Sequence, residues 1–131
     1  MVAEQLSIFL ENKRGRFTEV AKILGEAGVN MTAFTVSENT EFGILRLIVS
    51  DTQRATQVLQ AHSYGFSVTK VICLQCRNEP GALGKLMEKI SRKGIFVEYM
   101  YAFAEGDKAN IVIRPDNLEA CKDIADGEVS L

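Results

Sequence analysis

Apolar positions along this chain switch between two periods, and the switching happens twice. Gln5–Leu10 is a short run of large apolar residues, which predicts a strand. Phe17, Val20, Ala21 and Leu24 then recur at i, i+3, i+4 and i+7, the stripe of an amphipathic helix. Gly28 supplies its stop. Val29–Ser37 and Gly43–Ser50 flank the polar turn Glu38-Asn-Thr-Glu41 and predict a hairpin. Asp51 or Thr52 caps a second helix with Ala55, Val58 and Leu59 on its inner face, and Phe66–Thr69 is a short closing strand.

The same order then returns. Displaced by 66 residues, Leu6–Val36 falls without a gap on Ile72–Ala102, placing Asn12 on Asn78, Gly15 on Gly81 and Gly28 on Gly94. With one gap in the hairpin, Ile48, Asp51 and Ala55 fall on Ile113, Asp116 and Ala120. The second copy therefore reads as a strand at Val71–Arg77 and a helix carrying Leu83, Leu86, Met87 and Ile90 that ends at Gly94. A hairpin of Ile95–Phe103 and Lys108–Arg114 follows, turning at Glu105-Gly106-Asp107. Asp116 caps a last helix with Leu118, Cys121 and Ile124, about a turn shorter than its counterpart, and Glu128–Leu131 is a final strand.

Each copy is a βαββαβ unit, an antiparallel sheet with both helices on one face, so the fold class is α+β with two ferredoxin-like units. The expected domains are residues 1–69 and 70–131. Units of about 60 residues are marginal alone, so the two copies should pack together. In the second copy Ile95, Val97, Tyr99, Tyr101 and Phe103 alternate with Phe96, Met100 and Ala102. Both sheet faces thus read as apolar, and the helix-free face is expected to be covered by another sheet or subunit.

Composition narrows the chemistry. Fifteen Lys+Arg against seventeen Asp+Glu give a net charge of −2, with no basic run to neutralise phosphates, so no nucleic-acid partner is expected. No long apolar stretch predicts a membrane span, no cationic leader is read at Met1–Leu10, and a cytoplasmic setting is expected. Cys73, Cys76 and Cys121 suit a reducing compartment. Cys73 and Cys76 lie three apart in a strand and face opposite ways, and His62, the lone histidine, reads as a surface or cap residue. Hence neither a metal nor any cofactor is expected. One histidine and three cysteines in apolar runs supply no nucleophile–base set, and the chain does not read as an enzyme.

Binding chemistry concentrates where each first strand meets its helix, in Glu11-Asn-Lys-Arg-Gly-Arg-Phe17 and Arg77-Asn-Glu-Pro-Gly-Ala-Leu83. A glycine lets a ligand approach the backbone, and a helix N-terminus offers unpaired N–H groups with partial positive charge. Such a corner suits a small carboxylate, and an asparagine amide can serve either a carboxylate or an ammonium. The same residues also make a plain helix start, with Asn as cap and Pro80 in the first turn. The candidate ligand residues are Asn12, Arg14, Gly15, Arg16 and Phe17, and Asn78, Pro80, Gly81, Ala82 and Leu83. Asn30 and Met31, at the start of the second strand, are read as lying beside the first turn, with Glu98 and Tyr99 in the matching region of the second copy.

These corners, with Glu26-Ala-Gly-Val-Asn30 and Arg92-Lys-Gly-Ile-Phe-Val-Glu-Tyr-Met-Tyr-Ala-Phe103, resemble the ACT domain, the amino-acid-sensing module of metabolic enzymes. The likeness covers nearly the whole chain as two tandem copies. It implies the βαββαβ fold and, as in serine-sensing members, an amino acid held between neighbouring modules by two asparagines. Asn12 and Asn30 have that spacing. Arg14 stands where the family's turn has proline, and Phe96 where it has the second asparagine, so the two pockets are not equivalent. The resemblance implies an amino-acid-binding regulatory protein, with a free amino acid, a second copy in a homodimer and a metabolic enzyme or regulator as partners. The alternative is an assembly module that recruits a partner enzyme without binding a ligand.

Overall fold

The computed structural model describes residues 1–11, 13–38 and 42–127. Asn12, Asn39, Thr40, Glu41 and the strand expected at Glu128–Leu131 lie outside them. The chain divides into two compact units, one of Glu4–Thr69 and one of Met1–Ala3 with the chain from Lys70 onward.

The first unit holds β1 (Val2–Glu11), α1 (Arg16–Glu26), β2 (Met31–Glu38), β3 (Phe42–Val49), α2 (Thr52–Ala61) and the opening of β4 (Gly65–Arg77). The strand order runs β2-β3-β1-β4. β3 pairs antiparallel with both β1 and β2, setting Leu6 opposite Leu47 and Ile8 opposite Leu45. Those four side chains face Val20 and Leu24 of α1 and Ala55 and Leu59 of α2, and all eight are fully buried. Alternate residues of a strand share a face, so one core collecting both helices places them on the same side of the sheet. Asp51 caps α2, its carboxylate accepting from the Arg54 N–H at 3.0 Å.

The second unit continues through β4 and α3 (Ala82–Arg92), β5 (Val97–Glu105), β6 (Lys108–Pro115) and α4 (Leu118–Gly127). β6 pairs antiparallel with β4 and β5. Ile72, Leu74, Ile111 and Ile113 meet Leu86 and Ile90 of α3 and Cys121 and Ile124 of α4. Phe66–Thr69 and Val71–Arg77, expected as two strands, are one strand.

The duplication is closer than the sequence suggests. Leu6 opposite Leu47 becomes Ile72 opposite Ile113, Glu11 opposite Phe42 becomes Arg77 opposite Lys108, and Met31 opposite Val49 becomes Val97 opposite Pro115. Every pair moves by 66, and both edge strands carry a register shift at the same place, Met31/Ala33 and Val97/Tyr99. No gap is needed in the hairpin, and two expectations change. Asp116 does not cap α4: its carboxylate accepts from the Phe96 N–H at 3.0 Å, as the Ser50 hydroxyl accepts from Asn30 at 2.9 Å. The cap is Asn117, the counterpart of Asp51, accepting from the Ala120 N–H at 3.1 Å. The last helix is also no shorter, since α2 and α4 both have ten residues.

Beside β4 the second unit receives Met1–Ala3. The Met1 carbonyl accepts from the Cys73 N–H at 2.8 Å and the Met1 amino group donates to the Cys73 carbonyl at 3.1 Å, a complete antiparallel rung. The helix-free faces differ from expectation too. In the second unit that face carries a polar chain, Gln75 to Asn110 to Glu105 at 3.2 and 3.3 Å, beside half-buried Tyr101 and Phe103. In the first it carries buried Gln5 bonded to Ser7 at 3.3 Å. Burying these amides is acceptable because each has a partner. Neither face is a continuous apolar surface.

Candidate functional site

The two strand-to-helix corners are the same structure made from different sequences. Gly15 (φ 85, ψ −1) and Gly81 (φ 88, ψ −18) stand at the N-caps of α1 and α3 in left-handed backbone. That conformation is the reason for glycine here, since a side chain would strain the backbone at such a φ. Among the described residues a Cβ at either glycine would meet no atom within 4 Å beyond its own neighbours in the chain, so the corners are open. Neither helix start receives a side-chain cap among the described residues. The Glu19 and Lys85 N–H groups bond back to the Gly15 and Gly81 carbonyls at 3.0 and 3.1 Å. The N–H groups of Phe17 and Thr18, and of Leu83 and Gly84, have no protein partner among the described residues. Two bare donors at a positive helix end form the minimum for holding a carboxylate. Pro80 enters just ahead of the second helix, and the Asn78 N–H donates to the Asp107 carbonyl at 2.8 Å, fixing the end of β4 to the β5–β6 turn. Asn12 lies outside the described residues.

The expected site residues separate into two groups at opposite ends of each unit. Arg14, Gly15, Arg16 and Phe17 open α1, whereas Asn30 and Met31 follow its last residue. Eleven residues at about 1.5 Å each put roughly 16 Å between those ends. The sheet agrees: Met31 is level with Val49, seven positions from Phe42, the partner of Glu11, or about 23 Å along the strand. Asn30 is therefore not beside the first turn of its own unit, because a helix of this length carries the chain back to the far end of the sheet. Gly81 and the pair Glu98 and Tyr99 are separated in the same way by α3. Asn30 is exposed, its backbone held by Ser50 in both directions at 2.9 and 3.0 Å. Glu98 pairs with Arg114 at 3.5 Å.

The first corner is also bound into a network that no local pattern announces. Lys13 and Arg16 meet Glu11 at 2.9 and 3.7 Å, and Arg16 reaches Glu19 at 4.0 Å. Lys13 first, then Arg16, hold the Glu11 carboxyl below the usual carboxylate range. The Tyr64 hydroxyl donates to Glu19 at 2.5 Å, and burial, then the carboxylate, push its pKa up to about 12. Tyr64 packs on the core from the turn before β4 and so fixes the first turn of α1. Shallow grooves of about 410 Å³ and 430 Å³ follow the outer sides of α1 and α3, the first reaching Gly15 and the second Pro80 and Ala82. The aromatic side chain of Phe17 lies 5.8 Å from the Phe34 ring. Their counterparts Leu83 and Met100 are 42% and 40% exposed.

Other sequence candidates have structural roles. His62 stands at the C-cap of α2, its Nδ1 3.0 Å from the Val58 carbonyl. Cys76 and Cys121 are core residues and Cys73 is half-buried, with all three thiols free. Among the described residues no group of three His, Cys, Asp or Glu could hold a metal ion, and no helix is long and apolar enough to cross a membrane.

Comparison with known proteins gives consistent findings. A search of curated proteins finds no match. A crystallised protein of Bacteroides thetaiotaomicron is 46% identical, with a TM-score of 0.92 over 97% of this chain and 88% of that one. The regulatory subunits of aspartate kinase from Thermus thermophilus and Thermus flavus share the fold at 13% identity, with TM-scores of 0.67 and 0.63 over 96% of this chain and 90% and 95% of theirs. The family model described as an ACT domain pair matches residues 1–127, nearly the whole sequence, and the chain belongs to that family.

Proposed function

We propose that this chain is an amino-acid-responsive regulatory protein without catalytic activity of its own. The observation that carries the reading is the pair of open glycine corners, each with two N–H donors that have no partner among the described residues, on a chain of the ACT family. The ligand carboxylate meets the N–H groups of Phe17 and Thr18 or of Leu83 and Gly84. Its ammonium needs an oxygen ligand, and Asn30 lies about a helix length from its own corner. Asn30 thus completes a site only with a corner other than its own, and we place that corner on a second copy lying antiparallel to the first, which makes the working form a homodimer. Binding across such a contact favours one arrangement of the copies, and that shift is what a partner enzyme or regulator reads. Three free thiols suit a reducing cytoplasm.

The test is a thermal-shift and calorimetric screen of the twenty amino acids on the full chain. A true ligand raises stability by about 2.7 kcal/mol at a hundred times its dissociation constant. Binding that survives Asn12→Ala and Asn30→Ala together removes both asparagines from the site. Melting curves unmoved by every amino acid at millimolar concentration overturn sensing and leave the assembly module.

A further inference from the structure

The outward stripes of α1 and α3 carry opposite charge patterns at equivalent positions. Under the 66-residue displacement Glu19 becomes Lys85, Lys22 becomes Glu88 and Glu26 becomes Arg92. All six residues are exposed in the single chain, and each triad lines the groove along its helix. At 100° per residue they lie close to one line along each helix, facing away from Val20 and Leu24 or from Leu86 and Ile90. The α3 groove has two further cations, Arg77 ahead of the helix and Lys89, which is turned about 40° from Lys85 on the side away from Glu88.

Reversed signs within a duplicated element have a direct geometric meaning. Laid antiparallel, α1 and α3 bring Glu19 to Arg92, Lys22 to Glu88 and Glu26 to Lys85, three attractive meetings in register to within one residue. Two copies of α1 laid the same way set Glu19 against Glu26 twice, and two copies of α3 set Lys85 against Arg92 twice. Like meets like in both, and charge complementarity excludes those pairings in favour of the mixed one. We infer that the outer face of α1 docks on the outer face of α3 of a second copy of this chain. Each copy offers one face of each kind, so the contact recurs in a closed dimer or along an open chain of copies. Existing bonds do not oppose it: Glu19 holds Tyr64 and Arg16, and Glu88 holds Arg92 at 3.5 Å, and a carboxylate has more acceptor sites than these bonds use. The same alignment sets the Gly15 corner of one copy toward the Glu98 end of the other and the Gly81 corner toward the Asn30 end. The docking itself rests on charge alone and is tested without any amino acid.

The test is sedimentation velocity of the full chain over a concentration series at low salt. Lys85→Glu and Glu26→Lys each change one exposed residue, with circular dichroism to verify the fold. Either substitution alone turns one attractive meeting of every α1–α3 contact repulsive and should weaken self-association by roughly tenfold. An equimolar mixture of the two variants restores both contacts in a heterodimer and should associate like the unaltered chain. A chain that stays monomeric throughout overturns the inference. So do single variants that associate normally, or a mixture no tighter than its components.

Discussion

Replacing Gly81 separates what the corner does for the fold from what it does for a ligand. The glycine sits at φ 88 and ψ −18 with no atom within 4 Å of where a Cβ would stand. Alanine there meets no steric neighbour, so its whole cost is the left-handed backbone, about 1–2 kcal/mol. In a chain of this size each kcal/mol lowers Tm by about 3–5 °C, so Gly81→Ala should melt roughly 3–10 °C lower. Asparagine tolerates this conformation because its short amide bonds to nearby backbone, and Gly81→Asn should recover more than half of that loss. The same asparagine places a side chain in the open space before the N–H groups of Leu83 and Gly84. If an amino acid lodges there, Gly81→Asn keeps its fold and loses the ligand-induced rise in Tm. Differential scanning fluorimetry of the three proteins, with and without the preferred amino acid, reads both effects. Equal losses for alanine and asparagine would refute the backbone account, and a full ligand response in Gly81→Asn would remove the ligand from that corner.

Two other outcomes follow from the hydrogen bonds. Asn117→Ala should cost about 1 kcal/mol and speed hydrogen exchange at the Ala120 amide, whereas Asp116→Ala should speed it at Phe96; the reverse pattern would restore the hairpin gap. Tyr64, ordinarily near 10, is raised to about 12 in the fold, so the folded state holds its proton more tightly than the unfolded chain. That stabilisation is fully present below pH 10 and lost as pH rises toward 12. Urea melts at pH 9 and pH 11.5 should show a smaller alkaline loss for Tyr64→Phe than for the unaltered chain.

Periodicity made most of the fold legible. Val20 and Leu24, or Leu86 and Ile90, lie one turn apart and must face one core, and the matched glycines Gly15 and Gly81 announced both corners. The hairpin gap was an error of identity: aligning Asp51 with Asp116 matched two aspartates, while the structure matches Asp51 with Asn117 by the amide each one caps. Joining Phe66–Thr69 to Val71–Arg77 was hidden by exposed Lys70, which carries no apolar alternation of its own. The place of Asn30 at the far end of the sheet follows from the length of α1 alone. The bonds from Tyr64 to Glu19 and from Met1 to Cys73 join residues 45 and 72 positions apart, and no local pattern reports such pairings.

The placement of Met1–Ala3 has a consequence for anyone who would dissect this protein. A cut between Thr69 and Lys70, the seam that the repeat invites, severs the later half from the three residues that complete its ladder at Cys73. Gene fusions or chimaeras that exchange halves at that seam would pass on an unfinished edge, prone to recruit any extended peptide nearby. Splicing a short surrogate for Met1–Ala3 onto the excised half is the remedy this topology dictates.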